Sequence, residues 1–339
     1  MKELKYIVLA QIVGCLLVIW GHSYPFVTDM PQYVLDGKGF VYMFHMPLFV
    51  FCSGFLFAYT GQSERKSLGT FVKQRAIRLL VPYFALSLIG ILPKYIFSSV
   101  LNDSLQLDWL SLTRAFLVPR ENIWGHFWFL PMIFFMGCLA FEIDKYLCKN
   151  NQKQIWGAIC LVLFVLAMVF QPLAELKWFG INDLAKYGWS YAAGVEVFQL
   201  FGDVKDKIRI GRLKMVPLSV AGGGISLIIS LLLGFEEKLS PLVAIVMIPV
   251  IMLLCMAFED RAKINRQSLI SQTYQIFILS WPCQLVVEII LERVLHLQWW
   301  IILPSVFIIG VVGPLILIKL IDWFEAKTKT RILSVIIGK

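Results

Sequence analysis

Residues 300–322 read WIILPSVFIIGVVGPLILIKLID, and the nineteen from Trp300 to Ile318 carry no charged side chain. Coiled as an α-helix at about 1.5 Å per residue, they extend roughly 28 Å, close to the ~30 Å hydrocarbon core of a bilayer. The stretch reads as a membrane-spanning helix, and the same reading repeats towards the amino end. Further apolar blocks occupy 5–23, 40–60, 79–101, 127–143, 155–173, 186–203, 215–234, 241–258 and 268–292, with polar connectors between them. The expected fold is therefore all-α: a polytopic integral membrane protein of about ten transmembrane helices. Segment 186–203 is the most polar of these because it holds Glu196, and 102–126 has room for an interfacial helix.

Composition agrees. Of 339 residues, 59% are hydrophobic and 16% charged, with a mean hydropathy of +0.76. Soluble domains carry roughly 25% charge, so this chain has too little to coat a water-exposed surface. No connector exceeds about 25 residues, which leaves no space for a second, soluble domain, and residues 1–339 read as one transmembrane domain. Lys2 and Lys5 before an apolar run resemble a signal peptide, but no small-x-small cleavage site follows, so the run reads as a retained first span.

Lysine and arginine set the orientation. Connectors on one side of the membrane hold 22 of them and those on the other side hold 7. By the positive-inside rule, both termini are expected in the cytoplasm. The net charge of +9 is this asymmetry together with attraction to anionic membrane lipids, and it calls for no nucleic acid. The seven cysteines contain no CxxC pair and none falls in an outer connector, which fits packing thiols and neither a disulfide nor a metal framework.

Ionisable groups in spans are costly and usually functional. With this topology His22 ends span one, His45 lies early in span two and His126 opens span four, so all three fall in one layer near the outer face. Each alone reads more simply as an interfacial residue bonding headgroups or water. Three at one depth, with Trp128 after them and Glu121 before, point to a site, because imidazole can take a proton from a hydroxyl and return it to a leaving group. On the opposite side, Arg75 and Arg78 are three apart and share a helix face that could grip phosphates bidentately; they also fit ordinary positive-inside anchors. Gln11 and His22 lie about three helical turns apart, so Gln11, Cys15 and His22 form a polar stripe between the two layers. Ser53-Gly54 offers a hydroxyl and a close helix approach, and the pair also fits simple helix packing.

At these residues the chain resembles the acyltransferase 3 family of bacterial membrane O-acyltransferases that act on sugars. Tyr6 to His22 is similar to its opening span with an essential histidine. Phe44-His45-Met46-Pro47-Leu48-Phe49 with Ser53-Gly54-Phe55-Leu56 is close to its second-span signature. Arg75-x-x-Arg78-Leu79 before Pro82 looks like its cytosolic arginine motif, and His126-Phe127-Trp128-Phe129-Leu130-Pro131 like its Trp-Phe-Leu-Pro element. The chain departs from the pattern at Gln11, where the family has an arginine, at Val8, where it has an acidic residue, and at Ile278-Leu279-Ser280-Trp281-Pro282, where it has Tyr-Leu-x-His-Pro.

The resemblance implies an O-acyltransferase of the bacterial inner membrane that uses cytosolic acetyl-CoA. Its phosphates would dock at Arg75 and Arg78, its arm would pass Gln11 and Ser53, and His22 would act as general base with His45 orienting it or stabilising the oxyanion. The acceptor would be a hydroxyl of a cell-surface glycan or lipid-linked sugar, contacted by His126, Trp128 and Glu121, with no metal involved. Two other classes stay open on the residues: a solute transporter, hinted at by Gly222-Gly223-Gly224 and Pro249, and a non-catalytic scaffold on the same fold.

Overall fold

The computed structural model describes residues 4–24, 30–96, 108–169, 177–208, 210–261 and 266–339. Every regular element among them is helical. In chain order these are α1 (Lys5–Gly21), α2 (Gln32–Tyr42), α3 (His45–Thr60), the short α4 (Gln62–Arg65) and α5 (Leu68–Arg75). A π-helical turn, Ala76–Leu80, leads into α6 (Val81–Ile96), and α7 (Trp109–Leu117) follows. Then come α8 (Phe129–Lys149), α9 (Ile155–Val169), α10 (Ile181–Phe201), the short α11 (Val204–Lys207) and α12 (Arg212–Leu232). The chain ends with α13 (Ser240–Phe258), α14 (Arg266–Ile289), α15 (Trp299–Thr328) and α16 (Ile332–Ile336).

The protein is a helical membrane protein. Among the described residues, seven helical stretches are long and apolar enough to cross a bilayer, and α1 and α9 are shorter apolar helices. Each segment expected to span falls on a helix; the ends of 79–101 and 155–173 lie outside the described residues. The segment 186–203 corresponds to α10, whose 21 residues also carry Asp183 and Lys186. Residues 109–117 of the long connector form α7, capped by Asp108, whose carboxylate accepts from the Ser111 amide at 2.9 Å. Trp109 and Leu110 are left exposed on it, as an interfacial helix requires.

One boundary differs in a way that matters. Span two is not a single rod from residue 40: the helix breaks at Met43 and Phe44, and His45 becomes the first residue of α3. The break turns the imidazole into the space between α2 and α3 instead of placing it within a regular helix.

The closest helix approach is between α3 and α10. A Cβ built on Gly54 would lie 2.0 Å from the Tyr191 carbonyl oxygen, and one on Gly194 would lie 2.1 Å from the Phe51 carbonyl oxygen. The two backbones touch, which only glycine permits; in lipid, where helices gain nothing from burying apolar surface, such close packing is a main source of association. Ser53 beside Gly54 turns its hydroxyl back to the Phe49 carbonyl at 3.0 Å, which leaves the pair with the packing role. Around the crossing, aromatic rings interlock, as with Phe71 and Phe141, stacked at 4.6 Å.

At the end of the bundle away from the histidines, a buried carboxylate ties four helices. Asp144 on α8 is 6% exposed. It accepts from the Ser63 hydroxyl on α4 at 2.5 Å, from the Trp156 indole on α9 at 3.0 Å and from the Gln199 amide on α10 at 3.4 Å. A charge in that setting is tolerable only with such donors around it.

Gly54→Ala places a methyl carbon on a backbone oxygen that cannot yield, so detergent-purified protein should lose about 2 kcal/mol or more of stability. Gly223→Ala, with nothing within 4 Å of its new Cβ, should leave thermal unfolding unchanged or slightly raised. Equal melting of Gly54→Ala and wild type would refute the backbone contact.

Candidate active site

Three helix termini and one short turn meet around a cavity of about 580 Å³. That lies within the range of small-molecule sites, roughly 300–1,000 Å³. α1 delivers His22, which caps its last turn through its amide to the Val18 carbonyl at 3.1 Å. This helix end is pinned from α14: the Gln284 side-chain amide donates to the Ile19 carbonyl at 2.8 Å and to the Ser23 hydroxyl at 2.9 Å. Lower on α1, the Cys15 thiol donates to the Thr273 carbonyl at 3.6 Å, so the stripe below His22 faces α14.

The α2–α3 break delivers His45, whose Nδ1 lies 2.8 Å from the Val41 carbonyl oxygen. A carbonyl only accepts, so Nδ1 holds the proton and neutral His45 keeps its lone pair on Nε2. The Tyr42 ring braces it edge-on at 4.9 Å.

The 3₁₀ turn Gly125–Trp128 delivers His126, which is 3% exposed. Its ring stacks on Trp281 of α14 at 5.7 Å and 12° and faces His22 at 6.0 Å. Trp281 also lies 5.5 Å from His22, so one indole supports both imidazoles. Neither ring nitrogen of His126 makes a hydrogen bond of normal geometry; both are packed out of solvent contact beside the backbone of Phe277 and Ile278 on α14. Among the described residues no group of three or more His, Cys, Asp or Glu is disposed to hold a metal ion.

The far wall carries a fixed ion pair. Arg120 holds Asp183 of α10 through Nε at 2.9 Å and Nη2 at 2.5 Å, with Asp183 only 1% exposed. The same guanidinium covers the Trp128 ring at 4.2 Å, and Trp128 stacks with Tyr187 at 5.4 Å. Trp128 does line the cavity, but its ring is already engaged by Arg120 and Tyr187 rather than offered as an open platform.

The structure thus brings His22, His45, His126 and Trp128 together and separates the others. Glu121 does not line the cavity; both its oxygens accept from Arg114 at 2.7 Å, which holds its carboxyl below the usual carboxylate range. Gln11 is half-buried midway along α1. Arg75 and Arg78 do not act as one fork. Arg75 turns inward, donating to the Ile133 carbonyl at 3.1 Å and lying against Gly137 of α8. Arg78 is exposed, with its guanidinium over Tyr274 of α14 at 5.4 Å. The cause is local: the helix widens into a π turn at Ala76, so residues three apart no longer stand above one another as they would on an α-helix.

Sequence reasoning missed Gln284, Lys38 and the Arg120–Asp183 pair. Gln284 had a signal, a carboxamide in an apolar helix; the others fall in segments that the sequence reads as connectors, where charge is ordinary, although the structure puts Lys38 on α2 and Asp183 on α10.

A family model described as an acyltransferase domain matches residues 4–319. The nodulation protein NolL of Mesorhizobium japonicum (strain LMG 29417 / CECT 9101 / MAFF 303099) is 30% identical over 152 residues, 44% of this chain and 35% of that protein. The chain therefore spans about a third of that curated relative's length. No solved structure matches.

Asp183→Asn would leave Arg120 without its counter-charge. Removing one partner of a buried pair costs ~3–5 kcal/mol. Arg120 is 38% exposed, so we expect about 2 kcal/mol, read by thermal unfolding. Arg120→Met/Asp183→Asn should recover part of it, and unchanged melting of the single variant would show that the pair does not hold the wall.

Proposed function

Because this chain belongs to the acyltransferase 3 family, we propose that it is a membrane acyltransferase and moves an acetyl group from cytosolic acetyl-CoA to a hydroxyl of a lipid-linked or cell-surface sugar. The proposed setting is a bacterial inner membrane, with both termini in the cytoplasm and residues 1–339 acting as one domain. The observation that carries the reading is the convergence of His22, His45 and His126 on one cavity of about 580 Å³.

In this reading the acceptor sugar enters the cavity and the acetyl thioester reaches it from the other end of the bundle. His22 takes the proton of the acceptor hydroxyl as its oxygen attacks the thioester carbonyl. The carbon–sulfur bond breaks, and the imidazolium returns the proton to the departing CoA sulfur. With its proton on Nδ1 facing Val41, His45 presents an accepting nitrogen, which suits it to orienting a hydroxyl. In that tautomer it does not donate to an oxyanion, so the proposal gives His45 the orienting role. His126 Nδ1 or Nε2 is the remaining candidate donor to that oxyanion.

On the donor side, Arg78 is the exposed cation for a CoA phosphate. Arg75 supports the reading differently, by fixing the π turn against α8 through Ile133. Gln11 and Ser53 remain candidates for the pantetheine path, Ser53 with its proton committed to Phe49. Trp128 and His126 would contact the acceptor, and Glu121 would act only through the loop it braces with Arg114.

General-base assistance typically supplies 10²–10⁴-fold. Acceptor-dependent release of CoA thiol by purified protein should fall by about that factor in His22→Ala; a normal rate in that variant would overturn the mechanism. Arg78→Ala should raise the KM for acetyl-CoA roughly tenfold, the loss of one charge-assisted contact, with little change in kcat. An unchanged KM would move the donor site elsewhere.

A further inference from the structure

We propose that the cavity contains an anion subsite at Lys38, which holds a carboxylate or phosphate on the acceptor; this deepens the acyl-transfer reading and rests on it for the word acceptor.

Among the described residues, three charged side chains line the cavity: Lys38, Arg120 and Glu237. Two are already compensated. Arg120 is gripped by Asp183 through both Nε and Nη2, and Glu237 is paired with Lys186 of α10. Lys38 has no carboxylate within ion-pair distance and no hydrogen-bond acceptor among the described residues. What holds it is aromatic: its ammonium lies 5.0 Å from the Tyr24 ring centre and 5.7 Å from that of Tyr42. Cation–π contacts steady an ammonium without using up its N–H donors. Among the described residues, the carboxylate whose field reaches Lys38 is that of Glu288, which is buried on α14 and lies outside the cavity lining.

The position is consistent with a substrate role. Lys38 lies on α2 one turn before Tyr42, whose ring braces His45. A half-buried cation with free donors is unfavourable until an anion meets it, and an anion there would stand beside the nitrogens proposed for chemistry. His126, buried across the cavity, adds a polar side chain to the same lining. An acidic or phosphorylated sugar would be anchored by its charge at Lys38 and would present a neighbouring hydroxyl to His22. The same anion chemistry is also available from a lipid headgroup, and the test separates the two.

Binding is measured without acetyl-CoA, so a failure of acyl transfer leaves it unaffected. Detergent-purified wild type is titrated with glucose 6-phosphate, glucuronate and glucose, and thermal stabilisation gives the affinities. Wild type should prefer the charged sugars by about tenfold or more. Lys38→Gln should lose that preference while binding glucose as before, and Lys38→Arg should keep it. The melting temperature of each variant without ligand reports whether it is folded. Repeating the titration in nanodiscs of phosphatidylglycerol and of phosphatidylcholine separates the sources. An affinity for glucose 6-phosphate that is the same in both assigns the subsite to the sugar. Weakening only in phosphatidylglycerol assigns it to a headgroup phosphate. Equal binding of charged and neutral sugars by wild type, or a preference that survives in Lys38→Gln, would overturn the proposal.

Discussion

The backbone contact between α3 and α10 at Gly54 and Gly194 is the constraint from which the site follows. Two helices whose carbonyls and Cα atoms touch cannot slide or rotate without collision, so the register between them is fixed. α3 starts with His45, nine residues before Gly54, and α10 carries Asp183 and Tyr187 in its first two turns. Locking the helices at their middles therefore sets the spacing between one histidine and the far wall of the cavity. α1 and α14 are added to this frame by a different device, the hydrogen bonds of Gln284 to Ile19 and Ser23. Close packing and buried polar bonds are the two means of joining helices where the surrounding lipid is as apolar as the side chains.

The cavity shows how such a frame supports polar chemistry. Its histidines are not loose: a carbonyl fixes His45, an indole stacks with His126 and tilts against His22, and α1 is tethered one turn from His22. Its charges are mostly matched in pairs, so their fields largely cancel at the wall. Held this way, imidazoles pay little to reorganise when a reaction moves a proton, which is the condition for strong electrostatic assistance. Trp281 shows how one substitution recasts the arrangement. It occupies the place where the resembling family pattern carries a histidine, and here it acts as the platform on which two other histidines rest.

Much of this was legible in the residues. Helix positions follow from apolar runs, because lipid demands long uncharged helices and little else. The depth of His22, His45 and His126 follows from topology alone, since a histidine at the end of a rising span and one at the start of a descending span share a layer. What was not legible is everything that depends on which helices touch. The face-sharing of Arg75 and Arg78 assumed an α-helical turn, and the π turn from Ala76 separates their neighbours. Glu121 was counted with the site by proximity in sequence, yet Arg114, seven residues before it, takes both its oxygens. Ser53-Gly54 reads as packing material from the sequence, but nothing in the sequence pairs Gly54 with Gly194.

In the proposed acyl transfer, the acyl group reaches the histidine cavity between α1, α3 and the turn Gly125–Trp128. The most direct measurement is a cryo-electron microscopy map of the protein in nanodiscs with a non-hydrolysable thioether analogue of acetyl-CoA. Density is expected for the acyl end in the cavity, within hydrogen-bond distance of His22 or His45, and for the nucleotide end at the opposite mouth near Arg78. Density for the whole analogue elsewhere, with the cavity filled by side chains or lipid, would contradict it.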